Sequence, residues 1–257
     1  MKFRADINCD LGEAFTSTAS GIEKRIIPFI TSVNIACGFH AGNPTTMAET
    51  VNDAKKHGVA VGAHPGLPDL AGFGRRQMDL SADEIRNIII YQVGALTAVA
   101  QTAEKHLQHV KPHGALYNGV NTSEDYAVGI ISAMKRLHPD LILFTMAGSK
   151  MARMAIDTGL RVAHEAFADR AYNSDGSLAS RETRGAVIGN PDLVAKRAVK
   201  MIKERRMTAI NGITMKLPEV DTICFHSDTP NASRIARSIR EKFEKEAIEA
   251  VPAGAFV

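Results

Sequence analysis

Short apolar runs alternate along this chain with longer stretches that place apolar residues at helical spacing, and Gly/Pro-rich loops separate them. Residues 3–8 alternate modestly and end in CDLGE, which predicts a first strand delivering Asp10 and Glu13 to its C-terminal edge. Residues 22–30 show helical spacing. A second strand at 32–36 is followed at once by CGFHAGNP, carrying His40. Pro44 suits the first turn of a helix through Lys56, closed at His57-Gly58. A third strand, 59–63, empties into GAHPGLPDLAGFGRR at 62–76. Ser81 and Glu84 form a capping box, and the helix behind it is expected to run to about Leu107, with His106 and His109 facing solvent at its far end. A brief fourth strand at 110–111 opens into PHGALYN, with His113 and Tyr117. There follow a helix at 122–137, a strand at 141–145, a helix at 149–158 closed by Gly159, and a strand at 161–165 that empties into a second long loop. Asn190-Pro191 starts a helix to about Arg205, residues 222–225 form a late strand leading to HSDTP, and Pro230 opens a final amphipathic helix through Glu246.

Strands alternating with helices at this spacing predict a parallel sheet, and six or seven βα units argue for a closed or nearly closed barrel over a doubly wound sheet. The length of 257 residues and 45% hydrophobic content suit one such barrel over residues 1–257, with no linker or repeat dividing it. A net charge of +3 is too balanced to imply a nucleic-acid or anionic-membrane partner, and none is expected. No apolar run is long enough to span a bilayer and MKFRADINCD has no signal-peptide core, so the expectation is a soluble, cytoplasmic protein. Cys9, Cys37 and Cys224 lack CxxC spacing and read as buried thiols beside strands.

The nine histidines sort by position. His57, His106, His109 and His138 fall on helices or at their ends, and His164 lies within a strand as a packed residue. His40, His64, His113 and His226 each follow a predicted strand, on the edge shared by Asp10, Glu13, Asp69, Glu165, Asp169 and Asp228. In a parallel α/β fold that edge is one mouth, so these groups converge. Two chemistries suit them: imidazoles and carboxylates holding a divalent metal, or a metal-free acid/base set. Spacing does not choose between them. Arg75, Arg76 and Lys111 add positive charge at the rim, suited to a carboxylate or phosphate. Neither a GxxxxGK[ST] loop nor a GxGxxG after a strand is present, so a nucleotide would not be held by a standard phosphate loop.

DINCDLGEAF at 6–15, NIACGFHAGNP at 34–44 and GAHPGLPDLAGFGRR at 62–76 resemble the LamB/YcsF family. So do VKPHGALYN at 110–118, EAFADRAYNSDGSLASR at 165–181 and ICFHSDTPNA at 223–232. The resemblance implies a distorted (β/α) barrel of six to eight parallel strands, like the glycoside hydrolase and deacetylase barrels. It also implies ATP-dependent opening of the small-molecule lactam 5-oxoproline to L-glutamate, as the A component of 5-oxoprolinase beside subunits B and C. A homo-oligomer stays open. A five-membered lactam is an unreactive amide; phosphorylating its oxygen makes the carbon electrophilic, and hydrolysis of the adduct drives the reaction. On this reading Asp10, His40 or His64 positions the attacking water, with a divalent metal on those three as an option, and Lys111 and His113 stabilise charge on the lactam oxygen. Arg75 or Arg76 pairs the substrate carboxylate, and Glu13, Asn34, Tyr117, Asp169, His226 and Asp228 complete the binding surface. The chain departs from the family pattern at Asn43, usually Asp, and at Ser227, usually Gly. Two other classes stay open: a stand-alone metal-dependent deacetylase or amidohydrolase, and a non-catalytic subunit that positions substrate.

Overall fold

The computed structural model describes residues 3–14 and 17–257. Its first half runs β1 (Phe3–Leu11), α1 (Ser17–Ile26), β2 (Ser32–Ala36), α2 (Pro44–His57), β3 (Ala60–His64), α3 (Ala82–Thr102), β4 (Leu107–Val110), α4 (Gly114–Asn118) and α5 (Glu124–Arg136). The second half runs β5 (Ile142–Met146), α6 (Lys150–Asp157), β6 (Val162–Phe167), α7 (Pro191–Lys203), β7 (Arg206–Thr208), β8 (Thr214–Lys216), β9 (Thr222–His226), α8 (Ala232–Lys245) and β10 (Ile248–Ala250). Strands β1 to β6 pair in sequence order, β9 pairs with β6, and β9 pairs back to β1, so seven parallel strands close a barrel. β10 extends the beginning of β1, while β7 and β8 form a small antiparallel ribbon outside the barrel. Among the described residues no helix is long and apolar enough to cross a membrane.

Local chemistry sets the helix ends. Asn43 accepts hydrogen bonds from the Thr45 and Thr46 backbone N–H groups, Pro44 fills the first helical position, and Gly58 closes α2 in the left-handed region at φ 68°. Asn43 is thus the N-cap of α2, a role that Asp would fill equally well. Ser81 and Glu84 cap α3 reciprocally, as their spacing predicts. The helix nevertheless ends at Thr102, because residues 103–106 turn the chain into β4. His109 is therefore a strand residue pointing into the barrel, fully buried, and not the solvent-facing helix residue expected; His106 is exposed.

Strand alternation divides the core into two environments. Ile7, Cys9, Val33, Ile35, Val61, Ala63 and Phe225 face outward and pack with Ile85, Ile89, Ile235 and Ile239 of the helices. The opposite face is polar: Asp6, Asn8 and Asp10 from β1, Ser32 and Asn34 from β2, His109 from β4, Glu165 from β6 and Thr222 from β9, all buried. The lower lumen is apolar, where Ile142, Phe144, Ala163 and Ala253 cluster. His109 stacks on Phe144 with ring centroids 3.9 Å apart. Gly62 makes room for it, since a Cβ there would collide with the His109 ring. All three cysteines are buried, free thiols.

Asp6 accepts hydroxyl hydrogen bonds from Thr31 and Ser32, each at 2.6 Å, and from Thr222. Burial pushes its carboxyl up from the ordinary 3.8 to about 6, against the pull of those hydroxyls. A raised folded-state pKa contributes stability that is present at low pH and lost as pH rises through the folded value. At about 1.4 kcal/mol per pH unit the loss is about 3 kcal/mol by neutral pH. Urea unfolding of the wild type and Asp6→Asn should thus diverge by about this much between pH 4 and pH 7, to the wild type's disadvantage. A pH-independent difference between the two would show that Asp6 is not the titrating group.

Candidate active site

The C-terminal ends of the strands open into a cleft of about 650 Å³. Asp10, His64, Arg75, Lys111, His113, Tyr117 and His226 all line it. Glu13, Asn34 and His40 are not on its wall; they lie among the groups around its floor.

Three imidazoles gather around Glu13. His40 Nε2–H donates to Glu13 Oε1 at 2.8 Å, while its Nδ1 is buried without a partner and faces Gly66, where a Cβ would collide. His64 Nδ1–H donates to the Lys111 carbonyl at 2.7 Å, and His113 Nε2–H donates to the Phe73 carbonyl at 2.8 Å. A carbonyl only accepts, so these bonds fix both tautomers. His64 Nε2 and His113 Nδ1 are left facing each other at 3.0 Å, lying 3.7 and 3.4 Å from Glu13 Oε1. Asp10 Oδ2 is 3.4 Å from His64 Nε2. Rings of His40 and His113 stack with centroids 3.8 Å apart.

Two neutral imidazole nitrogens cannot face each other stably; either a proton or a cation must lie between them. Burial opposes an imidazolium at His64, but Asp10 and Glu13 outweigh it and raise the His64 pKa above its ordinary value. Burial and the neighbouring His40 and His64 hold His113 well below its ordinary value, and burial lowers His40 against the pull of Glu13. In that state His64 Nε2–H donates to His113 Nδ1. The alternative occupant is a divalent metal: Glu13, His40, His64 and His113 place one donor atom each within 4.8 Å of one another. The donors gathered here are thus Glu13 and His113 with His40 and His64, whereas the sequence suggested Asp10 with His40 and His64.

Beside this cluster Lys111 is buried within the barrel, not at the rim as its sequence position suggested. The side chain follows β4 and turns inward, where Nζ lies 2.9 Å from Asp10 Oδ1 and 3.1 Å from Glu165 Oε1. It also reaches Asn8 Oδ1 at 3.3 Å and Cys224 Sγ at 3.0 Å. Burial opposes its charge, yet Asp10 and Glu165 hold its pKa well above the ordinary lysine value. Asp10 is held well below the ordinary carboxylate range: His64 and Lys111 overcome its burial. Asn34 orders the layer beneath, donating to Asn8 Oδ1 and Asp10 Oδ1 at 2.8 Å each and accepting from His109 Nε2–H at 2.6 Å. Tyr117 Oη and Glu165 Oε2 are buried with no hydrogen-bond partner. Burial and the adjacent Glu165 push the Tyr117 phenol well up.

The remaining residues separate into different roles. Asp169 binds the end of β9, accepting from His226 N–H at 2.9 Å, His226 Nδ1–H at 3.0 Å and Thr229 Oγ1–H at 2.6 Å. Arg76 is locked to Asp69 and its side chain is 69% exposed, so it is not on the cleft wall. Arg75 is, donating to Asp228 Oδ2 at 3.0 Å. Ser227 lies in a turn without left-handed backbone, so nothing there demands glycine. Asn8, His109, Arg170 and Arg181 are site residues that the sequence does not point to, and Glu165, expected only as one of the carboxylates at the mouth, is a direct partner of Lys111. A signal for the lumen residues was present in β1, whose polar positions 6, 8 and 10 alternate with apolar 5, 7 and 9.

Residues 5–257 match the profile of the LamB/YcsF family. The A component of the 5-oxoprolinase of Syntrophobacter fumaroxidans is 51% identical over 252 residues, covering 98% of this chain and 99% of that protein. Its counterpart in Pyrococcus horikoshii is 49% identical over 254 residues, covering 99% of each. The crystal structure of the lactam utilization protein from Thermus thermophilus superposes with a TM-score of 0.89 at 42% identity, covering 97% of this chain and 99% of that one.

Proposed function

Because the chain belongs to the LamB/YcsF family, we propose that it opens the lactam ring of 5-oxo-L-proline to give L-glutamate, as one component of an ATP-hydrolysing 5-oxoprolinase. The observation that carries this reading is the gathering of His40, His64 and His113 about Glu13, beside a buried lysine, at the floor of a cleft whose wall holds Arg75. ATP transfers its terminal phosphoryl group to the lactam oxygen and leaves as ADP. One water adds to the ring carbon and the ring nitrogen departs with a proton, leaving an acyl phosphate that a second water hydrolyses to glutamate and phosphate. This chain's part is the handling of water, proton and charge. His64 carries a proton at Nε2, the atom its Nδ1 hydrogen bond leaves free, and delivers it to the departing nitrogen. Asp10 orients His64 and the attacking water. Lys111, kept charged by Asp10 and Glu165, stabilises negative charge on the ring oxygen as it takes up the phosphoryl group. Arg75 pairs with the substrate carboxylate.

A divalent cation held by His64, His113 and Glu13, with His40 orienting Glu13, would supply Lewis-acid activation of a water in the same place. Elemental analysis of the purified chain after incubation with Zn²⁺ and gel filtration decides between the two occupants: a stoichiometric metal would make His64 a ligand in place of the proton carrier, and no retained metal would leave the proton at Nε2. Where metal is retained, Glu13→Gln or His113→Ala should weaken its affinity by at least the roughly 10–100-fold that losing an outer-shell partner costs. Retention of metal at wild-type affinity by both variants would place it elsewhere.

The reaction itself is tested by 5-oxoproline-dependent ATP hydrolysis and glutamate release, for the chain alone and mixed with 5-oxoprolinase subunits B and C. Turnover confined to the mixture is expected. Lactam opening by the chain alone with a metal and no ATP would favour a stand-alone metal-dependent amidohydrolase, and a mixture inert towards 5-oxoproline would remove the proposal.

A further inference from the structure

The cleft is larger than a monocyclic lactam requires. At about 650 Å³ it lies in the roughly 300–1,000 Å³ range of sites for drug-sized ligands. Its upper wall carries more positive charge than one substrate carboxylate needs. Arg170 and Arg181 line it along with Arg75, both supplied by the loop between β6 and α7. Arg181 Nη1 lies 3.2 and 3.3 Å from the two carboxylate oxygens of Asp228, whose Oδ2 also accepts from Arg75 at 3.0 Å. Asp228 thus stands between two guanidiniums and holds them side by side. Arg170 is 7% exposed, donates through Nη2 to the Ala179 carbonyl at 2.7 Å, and has its Nε buried without a partner. Burial and the charges of Arg181 and Arg75 all act to lower the Arg170 pKa. The nearby carboxylates do not cancel this charge. Asp228 and Glu182, which lines the cleft from an exposed part of the loop, are two against three, and Asp169 is occupied by His226 and Thr229.

We propose that Arg170 and Arg181, next to Arg75, form a phosphoryl-binding subsite in the upper wall of the cleft. A singly charged carboxylate is satisfied by one bidentate arginine, whereas clustered guanidiniums, one of them deeply buried, match the higher charge and several acceptor oxygens of a phosphoryl group. The proposal deepens the lactam-opening reading and rests on it only for what the phosphoryl group is attached to: the activated lactam oxygen or the nucleotide that donates it.

Calorimetric titration of the full-length chain with inorganic phosphate, ATP and acetate tests the subsite without any turnover. Phosphate should bind, and Arg181→Gln should weaken it about tenfold, the 1.4 kcal/mol equivalent of one lost charged hydrogen bond. Arg184→Gln, the same charge change at an exposed position of the same loop outside the cleft, should leave it unchanged. ATP binding that also depends on Arg181 would assign the subsite to a nucleotide phosphoryl group; phosphate binding without ATP binding would assign it to one carried by the substrate. Equal weakening by Arg184→Gln, undiminished binding to Arg181→Gln, or displacement of phosphate by equimolar acetate would each overturn the proposal. Loss of the lactam-opening reading, measured separately by glutamate release, would leave these binding results standing.

Discussion

His64→Gln should lower the rate of lactam opening in the complete complex by about 10³-fold, within the roughly 10²–10⁴-fold range of a general acid or base. The loss should fall on kcat, with little change in KM. His64 is anchored at Nδ1 by the Lys111 carbonyl, and its Nε2 meets His113, Asp10 and Glu13 within 3.7 Å. No other ring in the cluster combines a fixed tautomer, a raised pKa and a place on the cleft wall. His40 donates to Glu13 behind the surface, and burial and its neighbours hold His113 neutral. Glutamine is close to the imidazole in size and polarity and keeps much of the packing, so the variant should remain folded. Steady-state glutamate release with wild-type and His64→Gln chains, each checked for an unchanged urea midpoint, measures the effect. Full activity in the variant would remove His64 from the chemistry and with it the central assignment of the site.

Lys111→Met should be costly twice over. Methionine fills a similar volume, so the loss is electrostatic and leaves little cavity. The ammonium lies 2.9 Å from Asp10 and 3.1 Å from Glu165 in a fully buried lumen, and its removal leaves the two carboxylates with no cation between them. Breaking a buried pair in this way destabilises by about 3–5 kcal/mol. The companion variant Lys111→Met/Glu165→Gln should recover part of that loss, because one stranded charge is gone. Turnover should fall by about 10²–10³-fold in both, the usual effect of removing one oxyanion stabiliser. Urea denaturation across this double-mutant cycle separates the two effects. A single variant as stable as wild type would show that the Asp10–Lys111–Glu165 contacts are not an ion-pair network, and recovered turnover in the double variant would show that Lys111 acts through structure alone.

These two residues also mark where sequence reading reached and where it stopped. His64 was legible because it ends a clear apolar run in front of a Gly/Pro loop, and the alternation of elements directs every strand end to one mouth. Lys111 was legible as a strand-end residue and misread as a rim charge: the sequence places its Cα, but not the direction of a long flexible side chain. His109 was misread because apolar spacing continues past Thr102 towards Leu107, and that spacing does not reveal where the chain turns from helix to strand. Arg75 and Arg76 looked equivalent as neighbours, and only the fold sends one to Asp69 and the other to the cleft.

By itself the sequence determined the order of the barrel strands and the main helices, a closed or nearly closed parallel architecture, the caps at Ser81 and Gly58, and the edge on which the histidines gather, but not the β7–β8 ribbon, β10 or α4. Each follows from local spacing and backbone preference, which act over a few residues. The tertiary structure decided which nitrogen of each histidine is free, which carboxylates meet Lys111, and which arginines share the cleft wall. Those contacts join residues as far apart as Asn8 and Thr222, and they depend on strand register and lumen packing, which fix side-chain positions to within an ångström only once the barrel is closed.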